Sequence, residues 1–69
     1  MTLREYRESL GWSQAELARR AGLDVQSARR AEDGEQIQGR TANAIAQALS
    51  AALGRTVQIK DIDGLNVRV

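Results

Sequence analysis

The side chains that could do chemistry in this chain are guanidinium, amide, hydroxyl and carboxylate groups. There is no His and no Cys among its 69 residues. The serines therefore have no imidazole to activate them, no thiolate nucleophile exists, and zinc loses its usual nitrogen and sulfur ligands. Glu5/Glu8 and Asp61/Asp63 are spaced as carboxylate pairs, yet no residue supplies the rest of a catalytic set. Helix capping and surface placement account for them. No catalytic residue, metal, cofactor or small-molecule ligand is expected.

What remains is recognition by hydrogen bonding, and one short segment concentrates the means for it. Val25-Gln26-Ser27-Ala28-Arg29-Arg30 holds an amide, a hydroxyl and two guanidiniums. Gln can pair two ways with adenine, Arg two ways with guanine, and Val can lie against a thymine methyl. The competing reading is an ordinary solvated helix face, which carries the same residue types.

The elements that would position this segment are marked by starts and stops. Thr2-Leu3-Arg4-Glu5 has the form of a capping box, and Leu3, Tyr6 or Arg7, and Leu10 follow at helical spacing up to Gly11. Ser13-Gln14-Ala15-Glu16 forms a second box, with Trp12 and Leu17 at the positions of a hydrophobic staple. Leu17, Ala18 and Ala21 make the buried face of this helix and Arg19 and Arg20 its outer one, and Gly22 ends it. Asp24 caps a third helix from about Val25 to Asp33, where Asp33-Gly34 supplies the stop. A polar loop containing Ile37 leads to a fourth helix from about Thr41 to Leu53, in which Ile45, Leu49 and Leu53 recur every four residues. Thr56–Ile62 is expected as a short fifth helix. The alternating Leu65-Asn66-Val67-Arg68-Val69 is expected as a short strand or tail.

Composition bounds the class. The whole chain, residues 1–69, is expected to be one domain, with no room for a separate effector-binding or protease unit. A core of Leu, Ile and Ala, with no Pro or Phe, suits closely approaching helices. Trp12 and Tyr6 are expected in that core. Net charge is only +1, so any binding to nucleic acid must depend on local arrangement rather than bulk attraction. Met1-Thr2-Leu3-Arg4-Glu5 has no apolar signal region, and no apolar run approaches membrane length.

Two helices joined by a tight turn around a Gly form a helix-turn-helix unit, here spanning residues 13–34. Gln14-Ala15-Glu16-Leu17-Ala18-Arg19-Arg20-Ala21-Gly22-Leu23 resembles the first half of that motif in the Cro/repressor (xenobiotic-response-element) family. Trp12-Ser13-Gln14 resembles the family's usual opening, and Glu32-Asp33-Gly34 resembles the Glu-Asn-Gly that closes its recognition helix. The likeness covers about residues 3–54. It implies an all-α, compact bundle of about five helices of the phage-repressor type. It also implies sequence-specific binding to double-stranded DNA by a transcriptional regulator, a repressor, in the cytoplasm of a bacterial or phage-infected cell, at its nucleoid.

The same resemblance implies roles for individual residues. Gln14 matches a phosphate-contacting position, Val25, Gln26 and Ser27 the start of the recognition helix, and Arg29 and Arg30 its second turn. Arg40 matches a spot near the DNA backbone or minor groove, though a helix-start ion pair is the alternative. Ala28 and Ala31 stand where the family has larger apolar residues, Asp24 where it has Ser or Thr, and helix four gains a turn at Ser50–Leu53. A homodimer on a palindromic operator is expected, because one recognition helix reads only a few base pairs. Its interface would be Val57, Ile59 and Ile62, or the tail residues Leu65, Val67 and Val69 paired as a ribbon, unless these cover their own core. The alternative function is a protein-interaction or antitoxin-like module on the same fold, which would favour apolar or acidic residues at positions 26, 29 and 30.

Overall fold

The structure, a computed structural model, describes residues 1–68. Four α-helices follow in order: α1 (Leu3–Ser9), α2 (Gln14–Ala21), α3 (Val25–Glu32) and α4 (Gly39–Leu53). A single 3₁₀ turn at Ile59–Asp61 and an extended C-terminal segment complete the described residues.

The caps read from the sequence set these boundaries, with one change. The Thr2 hydroxyl accepts from the Glu5 N–H at 3.1 Å while the Glu5 carboxylate accepts from the Thr2 N–H at 2.7 Å, a complete capping box. The box expected at α2 is only half formed. Ser13 Oγ accepts from the Glu16 N–H at 3.1 Å, but the Glu16 carboxylate turns to Arg19 and Arg20 instead. Two cations on the following turn outcompete one backbone amide. Asp24 Oδ1 caps α3 by accepting from the Ser27 N–H at 3.1 Å.

The link between α2 and α3 depends on Gly22, whose φ is +70°. That left-handed conformation lets the Leu23 N–H reach back to the Ala18 carbonyl at 2.8 Å, closing the end of α2 and aiming the chain into α3. A residue with a Cβ would be strained there.

The core gathers Leu3 and Tyr6 of α1, Leu17 and Ala18 of α2, Ala28 and Ala31 of α3, and Ala42, Ile45, Ala46 and Leu49 of α4. Ile37 from the polar loop and Val57 and Ile62 beyond α4 close it. Trp12 packs against this core half-buried, with the Arg20 guanidinium 5.2 Å from its ring centroid. Ala28 is fully buried and Ala31 is 2% exposed, so these small residues form the side of α3 that packs against its neighbours, where the resemblance has larger ones.

Three expectations for the C-terminal third need correction. The fifth helix is one 3₁₀ turn, because Val57 and Ile62 face the core while Gln58 and Asp61 cap only that turn. Helix four begins at Gly39, two residues earlier than Thr41. The tail forms no strand among the described residues, and makes only isolated bridges between Thr2 and Asp63 and between Ile37 and Val67.

Nor are the proposed pairing residues free. Val57 and Ile62 are 3% exposed, and Ile59, Leu65 and Val67 pack on their own core, while Val69 lies outside the described residues. Ser50, in the extra turn of α4, anchors this segment by accepting from the Val57 N–H at 2.8 Å while donating to Ala46.

Close approach of α3 makes a simple expectation. Ala28→Leu should lower stability by about 1–3 kcal/mol in urea unfolding, because the added carbons at a fully buried position must displace packed neighbours. Ala51→Leu, on the exposed side of α4, should stay within about 0.5 kcal/mol of the unaltered chain. Equal, small effects at both sites would mean that α3 does not pack as closely as described.

Candidate nucleic-acid interface

Helical geometry separates the two sides of α3. Ala28 and Ala31 fall on the buried side, and Gln26, Arg29 and Arg30 fall opposite and are exposed. Val25, at the first position of α3, is 39% exposed, and Met1 is the other large apolar residue this open among those described. Ser27 is half-buried at the edge of the helix. Gln26 and Arg30, four apart, are neighbours on one face, as are Val25 and Arg29.

Beside this face lies a cleft of about 460 Å³. Ser27 and Arg30 line it from α3, Gln38, Arg40 and Thr41 from the head of α4, and Arg68 from the C-terminal segment. Leu23 and Ile37 provide its apolar lining, and among the described residues no carboxylate lines it. Arg40 is exposed and its Nε donates to Gln38 Oε1 at 2.8 Å, and among the described residues the ion pair considered for it does not form.

The distribution of ion pairs leaves the arginines of this cleft uncompensated, while Asp33 and Glu35 lie beyond the end of α3, outside its lining. Glu8 pairs with Arg4, Glu32 with Arg7, Glu16 with Arg19 and Arg20, and Asp63 with the amino terminus. Among the described residues none of these pairs involves Arg29, Arg30, Arg40 or Arg68. Hydrogen bonding from Arg19, then from Arg20, holds the Glu16 carboxyl down at about 2. Hydrogen bonding from Ser27, with a smaller attraction from Arg30, keeps the Asp24 carboxyl below its usual range. Asp24 thus spends its charge on the helix cap, which limits its conflict with a nearby anion.

What positions α3 is a polar network that the sequence alone did not reveal. Arg7 of α1 donates from Nε to Glu32 Oε2 at 2.6 Å and from a terminal nitrogen to Oε1 at 3.2 Å. Its other terminal nitrogen donates to the Trp12 carbonyl at 2.8 Å, and the Gln14 amide donates to Glu32 Oε1 at 3.4 Å. The Arg7 and Glu32 side chains are only 13% and 5% exposed. Hydrogen bonding to Glu32 raises the Arg7 pKa above its already high ordinary value. Gln14, expected at a phosphate, is therefore half-buried and tied to the end of α3, with one amide N–H left over. No periodicity could have disclosed a partner 25 residues away. The place of Arg68 is likewise not legible in the sequence, because the alternation of the tail points to a strand or a pairing ribbon.

A family model described as helix-turn-helix matches residues 3–58 of the chain. No curated protein and no solved structure matches it.

Two tests follow from the charge arrangement. Glu32→Ala leaves the guanidinium of Arg7 buried with only the Trp12 carbonyl and no opposite charge, so unfolding free energy should fall by about 3–5 kcal/mol. The double replacement Arg7→Met/Glu32→Leu should recover most of that loss. A loss under about 1 kcal/mol from the single change would mean that water screens the pair. For Glu16, the lowered folded-state pKa means that its stabilising contribution is complete above about 4.5 and disappears as pH falls through about 2. Carboxyl NMR shifts of Glu16 should titrate near the lower value, and a midpoint near 4.5 would show that Arg19 and Arg20 do not hold it.

Proposed function

This chain belongs to the helix-turn-helix family of the Cro/repressor type, and from that membership we propose that it reads double-stranded DNA with the outer face of α3. The family is a DNA-binding one, which makes the major groove the natural seat for the second helix of the motif. The observation that carries the proposal is the exposed, unpaired set of Gln26, Arg29 and Arg30 on a helix whose other side is buried alanine. A face made for a protein partner would be expected to be apolar or acidic there.

Roles divide by position. Gln26 and Arg30, adjacent on the face, read base edges, with Val25 against a thymine methyl. Arg29 reaches a base or a flanking phosphate. Ser27, Arg40 and the remaining N–H of Gln14 contact phosphates and fix the register of the helix in the groove. In this reading the protein is a transcriptional regulator that represses by occupying its operator.

One α3 covers few base pairs, so specific occupancy calls for two copies on a palindromic site. Val25 and Met1 are the large apolar residues that stand open among those described, which supports pairing on the DNA rather than before binding. Two reading helices roughly 34 Å apart would enter successive major grooves on one side of the duplex.

Selection of bound duplexes from random-sequence DNA tests the proposal, and an inverted repeat should be enriched. On the selected duplex, Arg30→Ala should cost about 1–3 kcal/mol and relax the choice at one base pair. Arg40→Ala should weaken all sequences alike and reduce the salt slope by about one unit. Equal, sequence-blind losses from both variants would restrict Arg30 to a phosphate. Failure to enrich any sequence would overturn base reading by α3.

A further inference from the structure

The C-terminal segment is a strap across the far side of the same cleft. The Ile37 N–H donates to the Asn66 carbonyl at 2.8 Å, and the Arg68 N–H donates to the Ile37 carbonyl at 2.7 Å. The Asn66 amide donates to the Gly34 carbonyl at 3.4 Å, and Leu65 and Val67 pack against the core. These bonds reach the exit of α3 at Gly34 and the approach to α4 at Ile37. They fix the backbone of Arg68 and place its side chain among the residues lining the cleft.

Arg30, Arg40 and Arg68 come from three separate parts of the chain to line one cleft, which among the described residues holds no carboxylate. Like charges gathered this way repel, and in a chain of net charge +1 nothing in the bulk composition requires the grouping. An anion in the cleft would relieve the repulsion. Guanidinium groups are suited to phosphate oxygens, to which they donate in pairs.

We propose that Arg68 is a DNA-backbone contact, delivered by the C-terminal strap, and that the cleft receives a phosphodiester flanking the base pairs read by α3. The inference rests on α3 being the reading helix, and adds to it a residue beyond the span of the family match. It also couples the strap to the ligand. A phosphate held by Arg68 stabilises the bonds through Ile37 and Asn66, and by reciprocity an ordered strap strengthens binding.

The test compares Arg68→Ala, Arg68→Lys and the outlying Arg55→Ala on the selected duplex and on an unrelated one, across a range of salt. Arg68→Ala should weaken both duplexes several-fold and equally, leave the selected sequence unchanged, and reduce the salt slope by about 0.9. Arg68→Lys should retain most of the affinity, since it keeps the charge. In the unaltered chain, exchange of the Arg68 and Ile37 amide protons should slow when duplex is added. An Arg68→Ala variant with the slope and affinity of Arg55→Ala would overturn the proposal. So would an equal loss from Ala and Lys accompanied by a fall in Tm, which would make residue 68 structural only. Absence of duplex binding by the unaltered chain is a separate failure, since it overturns the reading of α3 and the Arg68 contact with it.

Discussion

The ion pair between Arg7 and Glu32 ties together the parts of this domain that must not move relative to one another. One guanidinium holds the end of α3 through Glu32 and the chain entering α2 through the Trp12 carbonyl, while Gln14 adds a bond from the first residue of α2. Such a fastening matters because α3 has little apolar grip. It is eight residues long and contributes only Ala28 and Ala31 to the buried core. Alanine side chains bury little area, so hydrophobic burial alone orients a helix like this weakly. Asp24 secures its beginning and Glu32 its end, and between them the outer face is held at a fixed angle to α2. A buried ion pair often adds less to stability than well-packed apolar residues would, and its value here lies in geometry.

The same carboxylates explain how a nearly neutral chain can present a cationic face. Glu8, Glu16 and Glu32 are engaged by Arg4, by Arg19 and Arg20, and by Arg7, all of them arginines of α1 and α2. Asp24 serves a cap and Asp63 meets the amino terminus. Asp33 and Glu35, just beyond α3, stay outside these pairs, but the side chains that line the cleft between α3, the head of α4 and the strap carry only positive charge among the described residues. Segregation of this kind concentrates attraction where a polyanion would dock while keeping general stickiness low.

Much of the scaffold was legible in the sequence because it is local. Caps at Thr2, Ser13 and Asp24 and the stop at Gly22 act within a few residues, and the spacing of Ile45 and Leu49 declares the buried stripe of α4. The motif from Trp12 to Gly34 carried the family, and the exposed polar face of α3 followed from its period. Legibility failed where the deciding partner was distant. The Arg7–Glu32 pair, the Ser50 anchor on Val57 and the strap through Ile37 each join residues that no local pattern links. The alternation in Leu65–Val69 suggested a strand, but two half-buried residues packing on a core alternate in the same way. Glu16 was assigned to a capping box because the spacing allows it, and two nearby arginines claimed it instead.

The central claim is that one surface, made by α3, the head of α4 and the strap, meets DNA. Titrating the isotope-labelled chain with a selected duplex and following backbone amide NMR shifts addresses it directly, residue by residue. The largest changes should fall on residues 25–30, 38–41 and 66–68, with the solvent side of α4 around Asn43, Gln47 and Ala51 left still. Changes centred on that side of α4, with 25–30 unmoved, would contradict the account.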